Sequence, residues 1–535
     1  MLYAEVHFRL FPCFPSLLFK REPEILFDIP HRIKPGAQLP ILLILNDIHK
    51  FNYTPLEVSV TLSQPGNGTQ LFHFKDIEEY KLRHPLDQIQ AVYLFTIPPA
   101  SLPIGEVFVN GKVTCKSGKK SITVFNDNIT GSSRKAMRTI VTDSALPANE
   151  LCDYGDLHVH SQFSQSHVEF GPPLQVIDTM ADTSGLAFAA ITDHSYDLAC
   201  SLSDYLVEDE SVPRWTLLRE ALRDRSAFST LLIPGEEISC ANSKNETVHL
   251  IGLGHTGFLP GSSDGARKKL KFKDQLTVKQ AVTQIIKEKG IAFAAHPCSR
   301  SGLLQKLFLH RGHWHHTDFT DNKELCGIQA LNNGFSASWD RGKALWISIL
   351  QEGQHIPLLA GNDAHGDFSR YRAIKTPFLS IYENFNRFMG FAKTGLYRKC
   401  TTIDQVMETI RNGETFVTTG PYLSINTSEH PESHAVSAIP VKFDGSDKRL
   451  HVHAVSTHEF GRLKKISVFC GETDTQSTQI ETLLFSKTMS SGTMDATFVI
   501  DCNAVKKGGY IRAEAESVLY DGTVNRAFTS ACYIA

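Results

Sequence analysis

The chain is short of several things. No apolar stretch approaches the roughly 18 residues that cross a bilayer, so no segment reads as a membrane span. Its eleven cysteines are scattered, with no Cys-x-x-Cys pair and no framework spacing, which argues against a disulfide framework and points to reduced thiols in a reducing compartment. No charge of one sign dominates: 54 Lys and Arg face 57 Asp and Glu, a net charge of −3. That balance gives no electrostatic case for a stable nucleic-acid partner or an anionic membrane. The apolar start is interrupted by Glu5 and Arg9 and lacks a basic leader, so it does not read as a signal peptide. The expectation is a cytoplasmic protein. At 535 residues it needs more than one core.

What is present divides into three. Residues 1–150 carry short β-rich runs at 41–45, 56–62, 91–96, 106–110 and 121–125, with turn signals at Pro65-Gly66-Asn67-Gly68 and at Asn110-Gly111. They read as a β-sandwich-like domain. Residues 151–421 alternate amphipathic helices with short apolar strands. The clearest helix follows a capping box, Thr277 and Gln280, and stops at Gly290. Such alternation implies parallel strands covered on both faces and fits a TIM-like barrel of the β/α type. Residues 422–535 return to strands and read as a second β-sandwich-like domain.

The stretch Asp156-Leu157-His158-Val159-His160 organises the middle region. On a strand, alternate side chains share a face, so Asp156, His158 and His160 point one way. Two imidazoles so placed can grip one metal ion. Further ligand types recur at or beside other strand ends: Asp193 and His194, Glu236 and Glu237, His249, His296, then Asp363 and His365. In a β/α barrel these ends converge. Burying so many ionisable groups unpaired costs several kcal/mol each, and divalent ions offset that cost. The number of ligands exceeds the needs of one ion, so two or three ions with a bridging carboxylate are expected. A second His-x-His, His451 and His453, has no ligand-rich neighbours in sequence and reads as surface or edge-strand residues.

In this order the motifs DLHVHS, AITDHS, GEEIS, VHLIGLG, AAHP and GNDAHG resemble the series of the PHP (polymerase and histidinol phosphatase) superfamily of metal-dependent phosphoesterases. The flanking regions are similar, more loosely, to the larger carbaryl-hydrolase-like metallohydrolases of that group. The resemblance implies a distorted (β/α)7 barrel with a di- or trinuclear centre of Zn, Mn or Fe. It implies that His158, His160, Glu237 and Asp363 hold one ion, that Glu237 bridges to a second held by His249 and His296, and that His194 and His365 belong to a third. The family often has Ser-Asp-Gly after its His-x-His; here Gln165 stands at the carboxylate position and His167 is the available ligand. The family commonly has Glu where Gln329 stands, which reads as loss of a supporting contact.

The function expected is hydrolysis of a phosphoester in a small molecule, nucleotide or short oligonucleotide by metal-activated hydroxide. Asp193 and His194 are candidate proton donors. Arg300 and Arg370, on loops after His296 and His365, suit bidentate phosphate binding. Cys298 has no partnered base and is not read as a nucleophile. The histidine-rich segment 308–316 follows no strand end and reads as an exposed insertion near the site mouth. The alternatives are a carbamate, ester or amide hydrolase, and a non-catalytic binding protein.

Overall fold

The computed structural model describes residues 22–128, 135–164, 171–204, 207–261, 275–299, 306, 310–366, 368–369, 373–376, 379–382, 387–426, 449–473 and 481–534. Among them no helix is long and apolar enough to cross a membrane, and ten cysteines are free.

The first region builds two sheets. Strands Glu24–Asp28, Leu39–Asn46, Ala91–Ile97 and Lys81–Leu82 form one; Arg32–Ile33, Met137–Val141, Gly105–Ser117, Thr54–Ser63, Thr69–Phe74 and Lys120–Phe125 form the other. The run 41–45 is apolar throughout because its strand is buried on both faces. Ile41, Leu43 and Leu45 join the core between the two sheets. Leu42 and Ile44 join a different cluster, with Leu174, Ile177 and Ala181 of the helix Leu174–Ser184. The expected turn at Asn110-Gly111 is not one: both residues lie inside the strand Gly105–Ser117. The glycine is there for close approach, since a Cβ on it would meet the Phe27 ring at 2.5 Å.

The middle region overturns the expected (β/α)7 barrel. Its strands belong to a 14-stranded sheet: Leu358–Gly361, Ile328–Asn332, Ile291–Ala294, Thr247–Leu253, Leu231–Ala241, Phe188–Ile191, Asp153–Val159, Lys393–Leu396, Thr415–Thr418, and on into Val524–Thr529, Tyr510–Val518, Arg462–Gly471 and Thr482–Thr493, with Cys532–Tyr533 beside Tyr510–Val518. Only some neighbours are parallel. Asp153–Val159 with Phe188–Ile191, and Phe188–Ile191 with Leu231–Ala241, run parallel. Leu231–Ala241 and Thr247–Leu253 are an antiparallel hairpin with no room for a helix, and Thr247–Leu253 is antiparallel to Ile291–Ala294. Seven α-helices are described in all, far fewer than the strands, so the molecule is a multi-sheet, β-dominated assembly. Asp153–Val159 and Leu358–Gly361 approach each other through an isolated parallel bridge, Val159 to Ala364.

The expected boundary at 421/422 does not separate two sheets. Thr415–Thr418 pairs with Val524–Thr529, Phe416 opposite Thr529. A three-stranded sheet of Tyr422–Asn426, Arg449–Val455 and Asp495–Asp501 packs Leu423, Ile425, Leu450 and Val452 against Ile466, Val468, Ile511 and Ala513 of the long sheet.

Candidate metal centre

His158 sits near the end of the strand Asp153–Val159 and His160 just beyond it, both fully buried. His158 Nδ1 lies 3.0 Å from Gln329 Oε1, and His160 Nδ1 3.0 Å from Ser164 Oγ. These contacts orient both Nε2 atoms into one space, 3.2 Å apart. Two carboxylates meet them there. Glu237 Oε2 is 3.3 Å from His158 and 3.4 Å from His160; Asp363 Oδ1 is 3.5 and 3.2 Å away. Asp363 reaches this point from a left-handed backbone conformation, φ 52°, and His296 has φ 27°. Such strain in non-glycine residues gathers at functional sites. The strands pack closely enough here that a Cβ on Gly361 would come within 2.6 Å of His158 Cβ.

Glu237 faces both ways. Its Oε1 contacts His249 Nδ1 and lies 3.0 Å from His296 Nε2. The hairpin sets this up, because Ser239 pairs with His249 across the turn. His194 Nδ1 is 2.9 Å from Glu237 Oε2, and its Nε2 is 3.2 Å from His365 Nε2. His365 stacks on His160, ring centres 3.9 Å apart. The result is three groups: His158, His160, Glu237 and Asp363; Glu237, His249 and His296; His160, His194 and His365. In each, one candidate ligand atom per residue lies within 4.8 Å of the others.

The residues fit divalent ions. Glu237 Oε2, Asp363 Oδ1 and His194 Nδ1 are buried and make no hydrogen bond of acceptable geometry. Left so, each costs roughly 1–3 kcal/mol or more. The donors are imidazoles and carboxylates, the ligand set of Zn, Mn and Fe sites. Among these side chains the charges answer one another. Burial disfavours the His160 cation, but Asp363 and Glu237 outweigh it and hold the imidazole at about 10. Burial likewise opposes the carboxylate charges. His249, His158 and His194 pull Glu237 well below the usual range, and Arg387 and His158 do so for Asp363. His365 is pushed well down by burial and by His160.

Some expected roles change. Asp193 does not face the cluster: its carboxylate accepts from Ser161 N (2.7 Å), Ser161 Oγ (2.6 Å) and Ser164 N (3.0 Å). It braces the turn that carries Ser164, so it is not placed as a proton donor. Asp156 also braces, accepting from Asn362 N and Nδ2 and from Gly390 N, which fixes the turn bearing Asp363. Gln329 keeps the contact that its replacement of Glu was expected to lose. Glu236 points away from Glu237, 2.8 Å from His255 Nε2. Of the segment 308–316, residues 308 and 309 lie outside the described residues; His310 is exposed, but from 311 to 316 the chain is half-buried or buried and tied to the centre. Thr247 N donates to His310 O, Trp314 is buried and donates to His249 O, and Arg311 Nη2 is 2.9 Å from His249 Nε2. Burial pushes the Cys298 thiol up, in keeping with its exclusion as a nucleophile. His167, Gln165, Arg300 and Arg370 lie outside the described residues. Two cations were missed, Arg311 and Arg387, the latter 3.6 Å from Asp363 Oδ2. The only sequence cue to Arg311 was the histidine-rich stretch around it. Arg387 stands in no motif.

No protein-family model and no curated protein matches this chain. Among solved structures it is similar to two of Parabacteroides merdae β-glucuronidase, at 10% identity and TM-score 0.18 and at 9% and 0.19. It covers 63% of the length of the first, with 95% of its own. A Paenibacillus sp. cycloisomaltooligosaccharide glucanotransferase is matched at 8% identity and TM-score 0.15, over 96% of this chain and 72% of that one. Likenesses this slight carry no argument about fold or function.

Proposed function

We propose that this chain is a metal-dependent hydrolase of phosphoesters. The observation that carries the reading is the overlap of three ligand groups through two shared residues, His160 and Glu237. Overlap of this kind suits neighbouring ions with a common carboxylate, and the motif order resembling the PHP superfamily supports it. Two or three divalent ions bound here would supply a nucleophile at neutral pH, by lowering the pKa of water, and charge stabilisation for the reacting group. Glu237 offers one oxygen to each of two groups. Gln329 and Ser164 set the ring orientations of His158 and His160. Arg311 and Arg387 place guanidinium groups at two edges of the cluster, an arrangement that favours an anionic substrate over a neutral carbamate or ester.

The test is elemental analysis of wild type and His158→Ala, with hydrolysis of p-nitrophenyl phosphate and a p-nitrophenyl carboxylic ester on the same samples. Two or three equivalents of metal with phosphoester turnover, both lost in the variant, is the expected outcome. Ester turnover alone would replace the phosphoesterase by a carbonyl hydrolase. Wild type that takes up no Zn, Mn or Fe would leave a non-catalytic binding protein.

A further inference from the structure

Asp28 links the first region to the turn beside the centre. Asp28 ends the strand Glu24–Asp28 and is fully buried. Its Oδ2 accepts from Phe368 N at 2.9 Å and its Oδ1 from Ser369 N at 3.0 Å, across 340 residues of sequence. These two successive amides come three and four residues after His365. A second link secures the same turn: Ser369 Oγ donates to Arg138 O and accepts from Arg138 N at 3.2 Å, on the strand Met137–Val141. Phe368 is itself buried, in the cluster that joins Leu26, Leu42 and Ile44 to the middle region. His365 thus has an anchor on each side: His160 N donates to Ala364 O at 2.9 Å before it, and Asp28 accepts from Phe368 N and Ser369 N after it. His365 stands between these two anchors, against His160 and His194.

We propose that Asp28 is a positioning residue for the metal centre. By fixing the turn after His365, it holds that imidazole in the His160, His194 and His365 group. The first region then acts as part of the site rather than as an attached module. This rests on the metallohydrolase reading above. A contact that served only to glue two regions together would leave the metal complement alone, and another contact supplies the control. Lys34 Nζ pairs with Asp182 at 2.7 Å, joining the first region to the helix Leu174–Ser184 and touching none of the three ligand groups.

The experiment compares full-length wild type, Asp28→Ala, Asp28→Asn and Lys34→Ala by elemental analysis after equilibration with Zn or Mn, and by kcat and KM for p-nitrophenyl phosphate. Expected for Asp28→Ala is loss of about one metal equivalent per chain and a fall in kcat of roughly 10–100-fold with KM within about twofold, the scale of a contact that orients a ligand. Asp28→Asn, which keeps one acceptor oxygen, should fall between. Lys34→Ala should keep both metal and kcat. Should Asp28→Ala not fold, Ser369→Ala cuts the second anchor of the same turn and should lower metal content and kcat in the same sense. Wild-type metal content and kcat in Asp28→Ala, or equal losses in Lys34→Ala, would overturn the proposal while leaving the metallohydrolase intact. A wild type without metal would overturn both.

Discussion

The tetrapeptide Leu-His-Val-His occurs twice, at 157–160 and at 450–453. Both copies are extended and both bury Leu and Val. They differ in what meets the histidines. The strand Asp153–Val159 is buried on both faces, and His158 and His160 enter a space also reached by Glu237, Asp363, His194 and His365. The strand Arg449–Val455 buries alternate residues and leaves its histidines on the other, half-buried face. There His453 meets one carboxylate, Asp495, whose side chain is 68% exposed. A metal centre is thus a property of convergent strand ends, and the tetrapeptide supplies only two of its donors.

Substitutions separate the copies. His158→Ala should strip the centre and lower turnover by more than the roughly 10–100-fold typical of an outer contact, whereas His451→Ala and His453→Ala should change neither metal content nor kcat. Metal loss in the second pair would erase the contrast. Next in size, Gln329→Ala removes the acceptor that orients His158 and should weaken metal affinity by about 10–100-fold, read by competition with a chelating dye. Asp495→Ala, which removes the partner of His453, should leave that affinity unchanged.

The contrast is also one of pH. Asp363 and Glu237 hold His160 at about 10, above its ordinary 6.5. A raised value means that the folded state holds the proton longer than the unfolded one. The stability so gained is complete below pH 6.5 and lost as pH rises through 10. Chelated wild type should therefore show a fall in unfolding free energy between pH 6.5 and 10 that is smaller in His160→Gln, where the raised His158 still contributes, and unchanged in His451→Gln. The smallest effect belongs to the exposed partner of His453: Asp495→Ala should cost no more than about 0.2–1 kcal/mol by urea unfolding, the scale of a surface ion pair. A loss well beyond that would mean the second copy has a structural task that its geometry does not suggest.

The donors are legible in the sequence because they break a simple rule. Ionisable residues stand just past apolar runs, as His296 follows 291–295 directly and Asp363 comes after 356–360 and Gly361-Asn362. Where the donors meet was less legible. The hairpin Leu231–Ala241 with Thr247–Leu253 opens and closes on short apolar runs, 231–233 and 250–253, that look the same in either strand direction, and the expectation of a (β/α)7 barrel failed there. Pairings such as Phe416 with Thr529 are set by residues more than a hundred positions apart and leave no local mark. Asn110-Gly111 misled because its glycine answers to Phe27, not to a turn. Asp193 misled because adjacency to His194 says nothing about which way a carboxylate turns. Arg387 carried no signal, since a single arginine outside any motif looks like surface.

The long sheet has a consequence for how the chain is made. Synthesis runs from the first residue onward, and domains generally fold as units as they emerge. The first two sheets close among residues 24–141 and could form early. The strand Thr415–Thr418 must wait for Val524–Thr529, and Thr415 Oγ1 for Ser530 Oγ, 2.8 Å away. Until the ribosome has released those late residues, the sheet that carries His158 and Asp363 has an open edge. During that interval a nascent chain already holding most of its histidines would be exposed to adventitious metal and to pairing with other strands.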